Sequence, residues 1–174
     1  MKKVLVVLAE KMFREIEYIV PRAFFEQNGI EIKTVSSSFE SVGRFGFKVK
    51  NDFVFSDDLD NLEMLKGFDG ICFIGGVGSL DFMDNLLVKD LAKFYFDSGK
   101  IVSAICAAPR LLLNWGILNG VKCTGNDWDK NFGSLSNDVG AIYECKDCIS
   151  DKNVVTANGP NASEEFALEI IKLL

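Results

Sequence analysis

The chain has 174 residues, 48% of them hydrophobic with fifteen Phe, enough to bury a core as one domain. Its net charge of −6 comes with no basic patch, which argues against a nucleic-acid partner. It contains no histidine, so a Cys–His dyad, a Cys–His–Asp triad and a histidine metal site are all excluded, and self-association cannot supply them.

The opening Met1-Lys2-Lys3 is followed by only Val4 to Ala9 before Glu10 and Lys11. That run is too short for a signal-peptide core, and no stretch is long enough to span a membrane. A cytoplasmic protein with no membrane partner is expected, its five cysteines reduced rather than paired. Val4 to Leu8 is a continuous apolar run, the pattern of a strand buried on both faces. Glu15 to Asn28 carries Ile16, Ile19, Val20, Ala23 and Phe24 at helical spacing, with Gly29 as a natural stop. Ile30 to Val35 reads as the next strand and Phe39 to Phe55 as a loop or hairpin punctuated by Gly43 and Gly46. Asn61 to Lys66 predicts a short helix, Phe68 to Ile74 a buried strand ending at Gly75-Gly76, and Asn85 to Ser98 an amphipathic helix. Ile101 to Ile105 is a strand and Pro109 to Trp115 a helix. Short strands are expected around Lys122 to Thr124, Ala141 to Glu144 and Val154 to Thr156. Asn161 is placed to cap a last helix, with Glu164 completing a capping box.

Strands alternating with helices imply right-handed βαβ units. The expected fold is therefore α/β: one doubly wound domain over residues 1–174, with a mostly parallel sheet and helices on both faces. Such sheets place their sites at the carboxyl ends of the strands. Here the first strand leads toward Glu15 and Glu17, the Phe68–Ile74 strand ends in Gly75-Gly76, and the Ile101–Ile105 strand ends in Cys106. If those strands are neighbours, the three ends form one pocket.

Cys106 stands where an apolar strand turns sharply into small residues and then Pro109 and a Leu-rich helix. The free N–H groups and positive dipole end of that helix favour a thiolate, making Cys106 a candidate nucleophile rather than an inert buried cysteine. Cys72, inside an apolar strand, reads as the inert kind. Gly75 and Gly76 let the backbone approach a ligand closely, although Gly75-Gly76-Val77-Gly78 lacks the spacing of a dinucleotide fingerprint. Of the two glutamates that follow the first strand, Glu15 reads as a solvated helix glutamate. Pro21 cannot donate to the carbonyl of residue 17, which singles out that turn of the helix. Cys145-Lys146-Asp147-Cys148 spells a C-x-x-C without the context of a redox pair or a zinc site. Asn161-Ala162-Ser163 matches the glycosylation triplet, without meaning in the cytoplasm.

Taken together, these runs resemble the DJ-1/PfpI superfamily, related in fold to class I glutamine amidotransferases. The resemblance rests on Val6-Val7-Leu8-Ala9 with Glu15 to Pro21, on Phe73 to Gly76, on Ala104 to Pro109, and on Val155 to Pro160 with Phe166 to Ile170. It implies a flavodoxin-like sheet, Cys106 as the reactive, oxidisable cysteine on a nucleophile elbow and Glu17 as the glutamate contacting its sulfur. Gly75, Gly76 and Ala107 then supply the amides that hold an oxyanion or an oxidised sulfur. Asn126 fills the place of the family histidine, Asn158 that of an arginine and Ala108 that of a glycine. Without the histidine, Asp127 and Asp129 are either substitute bases or solvated loop residues, and proteolysis is not expected.

What the resemblance implies is a cofactor-independent, metal-free cysteine protein acting in oxidative or carbonyl stress. Its partner would be a small carbonyl compound, handled by glyoxalase or deglycase chemistry, or an oxidant sensed at Cys106. A homodimer is also implied. A catalytically degenerate binding or assembly module is the alternative.

Overall fold

The computed structural model describes residues 1–56 and 58–174, and every side chain among them except that of Leu59. In chain order the strands are β1 (Lys3–Val7), β2 (Lys11–Phe13), β3 (Glu31–Ser36), β4 (Glu40–Gly43), β5 (Lys48–Lys50), β6 (Phe53–Val54), β7 (Gly70–Phe73), β8 (Ile101–Ile105), β9 (Lys122–Cys123), β10 (Ile142–Tyr143), β11 (Cys148–Asp151) and β12 (Val154–Ala157). The helices are α1 (Glu15–Gln27), α2 (Leu59–Lys66), α3 (Leu86–Asp97), α4 (Pro109–Asn114), α5 (Phe132–Asp138) and α6 (Ser163–Leu173).

Seven strands form the main sheet in the order β11-β12-β8-β7-β1-β3-β6. Every neighbouring pair is parallel except β11 with β12. The reason lies in the apolar runs. All residues of β7, β8 and β12 are buried, as is β1 after Lys3, and strands without a polar face must be covered on both sides. Helices provide that cover: α1 packs on α6 and β3, and α6 on β8 and β12. Among the others, α3 packs on β7, β8 and α2. The expected α/β architecture with a mostly parallel sheet is the one observed.

Local signals place several ends. Asn85 caps α3 by accepting the Val88 N–H at 3.1 Å, and Gly29 (φ 69°) ends α1 as anticipated. The expected hairpin within 39–55 is β4 paired antiparallel with β5, and β2 joins β4 to make a separate three-stranded sheet.

Two readings need correction. Asn161 does not cap the last helix: Pro160–Ala162 is a 3₁₀ turn, α6 begins at Ser163, and the Ser163 hydroxyl donates to the Pro160 carbonyl at 2.8 Å. Helix α5 was not expected, because Gly133, Ser134, Ser136, Asn137 and Asp138 are weak helix formers. It is held by burial of Phe132 and Ser136 and by Asp127, whose carboxylate accepts the Phe132 N–H at 2.7 Å.

Candidate functional site

Because β8, β7 and β1 lie side by side, their carboxyl ends bring together segments remote in sequence. Cys106 follows β8, Gly75 and Gly76 follow β7, and Glu17 lies in the first turn of α1, reached from β1 through β2. The expected meeting of these three strand ends is what the sheet order produces.

Cys106 adopts φ 64°, a left-handed conformation that costs a side-chain-bearing residue about 1–2 kcal/mol. Two hydrogen bonds fix it there. Its N–H donates to the Ala157 carbonyl at 2.8 Å, and its carbonyl accepts the Asn126 N–H at 2.9 Å. Non-glycine residues held in this way cluster at functional sites.

Gly75 separates the two candidate groups. A Cβ built there would lie 2.5 Å from Glu17 Oε2 and 2.7 Å from the Cys106 Cβ, so only glycine lets the carboxyl and the thiol approach. Gly76 combines φ 98° with a backbone so close that a Cβ would fall 2.8 Å from the Arg14 nitrogen. The Gly76 and Ala107 N–H groups lie near enough to the Cys106 sulfur to favour its charged form.

Glu17 has no exposed surface, and among the described residues neither carboxyl oxygen finds a hydrogen-bond partner of good geometry. Cys106, Arg14 and the Gly75 N–H nevertheless lie near enough to favour its charged form. Burial outweighs all three and pushes the carboxyl from 4.5 up to about 7. The Cys106 thiol is pushed up to about 12, by burial first, then by the charge of Glu17 and the hydrogen bond to it, against the pull of the Gly76 and Ala107 amides. This reverses the direction expected from a helix N-terminus alone. Helix α4 starts three residues later at a proline without an N–H, and the Ala108 N–H is taken by the Ile105 carbonyl at 3.1 Å. A closely packed pair, with Glu17 buried and Cys106 half-buried, resists a second negative charge: one proton leaves near neutrality and the other is retained.

The pair opens into a cavity of about 340 Å³ whose walls include Arg14, Arg44, Val77, Asn126, Trp128 and Pro160. Asn126 therefore does border the site, but its side-chain oxygen accepts the Trp128 N–H at 3.1 Å and serves its own loop. Asp127 and Asp129 do not line this cavity. The first holds α5, and the second pairs with Arg110 at 2.6 Å, so their substitute-base reading is not supported. Asn158 is turned elsewhere, donating to Asp147 at 2.8 Å.

Glu15 corrects the sequence reading. It is buried, not solvated, and one carboxyl oxygen accepts the Phe45 N–H, tying the Gly43–Phe45 turn to α1. The C-x-x-C is split between exposed Cys145 and buried Cys148, whose thiol burial pushes up to about 12. Cys72 is likewise buried and pushed up to about 12, as an inert core cysteine should be. All five cysteines are unpaired, and no cluster suited to a metal is found among the described residues. Sequence reasoning missed Arg14 and Arg44. Thirty residues separate them, and only the β2–β4 pairing reveals their proximity.

The fold and site together define a class: a doubly wound α/β protein with a cysteine on a strained strand-to-helix elbow and a buried glutamate beside it. The DJ-1/PfpI family model matches residues 2–173, and the chain belongs to that family. An uncharacterized protein, MJ0967, from Methanocaldococcus jannaschii is 35% identical over 174 residues, 99% of this chain and 82% of that one. The glutathione-independent glyoxalase DJR-1.2 of Caenorhabditis elegans is 30% identical over 99% of this chain and 89% of its own. Among solved structures, a ThiJ/PfpI domain protein from Brachyspira murdochii superposes with a TM-score of 0.87 at 27% identity, covering 98% of this chain and 95% of that one.

Proposed function

We propose that the protein is a cysteine-dependent, glyoxalase-like or deglycase-like enzyme acting on small 2-oxoaldehydes, with Cys106 as nucleophile and Glu17 as its proton shuttle. The observation that carries this reading is the approach of Glu17 to Cys106 across Gly75 in a half-open, partly apolar cavity. Two amides, from Gly76 and Ala107, lie near enough to the sulfur to favour its charged form, whereas Gly75 alone does so for the carboxyl. Near neutrality Glu17 ionises before Cys106, so as the sulfur attacks, the carboxylate takes the thiol proton and the negative charge passes to the sulfur.

The thiolate adds to the aldehyde carbon, the carbonyl π electrons move to oxygen, and the Gly76 and Ala107 amides stabilise that oxyanion. Glu17 delivers its proton to the oxygen. As a carboxylate it then takes the proton from the former aldehyde carbon, giving an enediol; that proton returns at the adjacent carbon while the hydroxyl proton passes from the first oxygen to the second, which leaves the thioester of a 2-hydroxy acid. Water hydrolyses the thioester, releasing a 2-hydroxy acid and restoring the thiolate. The sequence needs no histidine and consumes only water. Lactate formation from methylglyoxal tests it: activity is expected in the wild type and lost in Cys106→Ser, and an inactive wild type removes the reading.

The same geometry supports a second role. Peroxide would convert the Cys106 thiolate to a sulfenate with release of water, and a second equivalent would give a sulfinate held by Glu17 and the two amides. Intact mass after peroxide treatment, compared with Cys106→Ser, tests this; modification spread evenly over the cysteines opposes it. Five free cysteines fit the reducing cytoplasm, the location proposed, and no described helix is long and apolar enough to cross a membrane. A homodimer belongs to the same proposal, and a monomeric mass by light scattering removes it.

A further inference from the structure

The cavity above Cys106 carries two cations that the addition chemistry does not use. Arg14 and Arg44 both line it, and both guanidinium groups stand over one ring, that of Phe45, with their central carbons 5.0 and 5.8 Å from its centroid. Among the described residues neither forms an ion pair, whereas Arg22 and Arg110 each do.

The backbone segments that carry these groups are held in place. The Arg14 N–H donates to the Gly75 carbonyl at 3.0 Å, joining its segment to the Gly75–Gly76 floor. The Arg44 N–H donates to the Phe13 carbonyl at 2.9 Å, and buried Glu15 accepts the Phe45 N–H from beneath the turn. Glu15 spends its charge there and does not border the cavity. Glu17 is the carboxyl that does border it, and burial favours its neutral form up to about pH 7.

We propose that Arg14 and Arg44 form an anion-recognition subsite, so that the preferred substrate is a small 2-oxoaldehyde bearing a carboxylate or phosphate. The guanidinium forks bind that group while the aldehyde carbon faces Cys106. This deepens the enzymatic reading and rests on it for the word substrate, but the subsite is testable on its own. For the carboxylate case the probe is 4,5-dioxopentanoate, which gains one water to become 2-hydroxyglutarate by the steps already written.

The experiment has two arms. In the first, Cys106 alkylation by iodoacetate and by iodoacetamide is compared in the wild type, Arg14→Gln and Arg44→Gln, with glutathione as the free-thiol reference. The ratio of the two rates cancels any change in the thiolate fraction. The expected wild-type ratio is about tenfold above that of glutathione, which corresponds to about 1.4 kcal/mol of anion preference. Each variant, and 0.5 M salt on the wild type, should bring it down toward the reference. The salt measurement keeps the test decisive if a variant does not fold. A wild-type ratio equal to that of glutathione overturns the subsite.

In the second arm, kcat/KM is measured for methylglyoxal, 4,5-dioxopentanoate and hydroxypyruvaldehyde phosphate. A preference for either charged compound that is lost in Arg14→Gln and Arg44→Gln supports the proposal and identifies the anion. Turnover of methylglyoxal without such a preference overturns it and leaves the enzyme reading intact. Selective alkylation by iodoacetate with no turnover of any compound upholds the subsite and removes the enzyme reading instead.

Discussion

Arg110 lies over the indole of Trp128, its guanidinium carbon 4.1 Å from the ring centroid, while its charge is paired with Asp129 at 2.6 Å. It also donates, at 3.4 Å, to the carbonyl of Asn126, the residue whose N–H holds Cys106. One largely buried cation thus fixes the loop that forms a wall of the cavity.

Arg110→Lys tests that role. It keeps the charge but loses the flat fork and the stacking, so a loss of about 1–2 kcal/mol is expected. Chemical denaturation measures the loss, and faster alkylation of Cys106 by iodoacetamide should accompany it as the Trp128 wall loosens. A variant as stable as the wild type would show that the stack contributes nothing.

The titration of Glu17 makes stability depend on pH. Its carboxyl is held at about 7 in the folded chain against an ordinary 4.5, so between those values the folded state binds the extra proton. Stability then falls as pH rises from 4.5 to 7 and stays lowered above that. Glu17→Gln has no such proton to lose. Its stability relative to the wild type should improve by about 3 kcal/mol between pH 4 and pH 8. A difference that does not vary with pH would contradict the burial of an ionisable group here.

The reactivity of the thiol should follow the same proton. Wild-type alkylation at Cys106, read by peptide mass spectrometry with the other cysteines as controls, is expected to rise with a midpoint near 7 and again toward 12. In Glu17→Gln and Glu17→Ala the step near 7 should vanish. Identical profiles in all three proteins would sink the proton-sharing mechanism.

Gly75→Ala places a methyl group where Glu17 and Cys106 now meet. It also meets the Ile105 carbonyl, so the backbone as well as the pair must shift, at a cost of about 1–3 kcal/mol for the overpacking. The step near pH 7 and the turnover of methylglyoxal should be lost together. Retention of both would mean that the pair does not act as a unit.

Much of this was legible in the residues. Continuous apolar runs identified β1, β7 and β8 as buried parallel strands, and a parallel sheet puts their carboxyl ends on one edge, so Gly75, Gly76 and Cys106 could be grouped beforehand with the segment of Glu15 and Glu17, the choice of Glu17 following from the family resemblance. Chemistry that depends on a small auxiliary sheet was not legible. Met12, with φ 62°, puts an irregularity in the middle of β2 where its register with β4 shifts, and nothing in Lys11-Met12-Phe13 announces it. Without the β2–β4 pairing, Arg14 and Arg44 are two unrelated surface cations and Glu15 looks solvated. The direction of the Cys106 shift was also beyond the sequence, because it is decided by burial against the Glu17 carboxyl rather than by the local turn.

The order of strands in the main sheet has one more consequence. Glu17, Gly75 and Cys106 come from three segments that touch only when β1, β7 and β8 have docked in parallel, a nonlocal arrangement assembled late and slowly relative to helices. A nascent or heat-damaged chain therefore carries five ordinary thiols, and the distinctive one emerges when the last of these strands is seated. The protein's own chemistry is a gauge of its maturity.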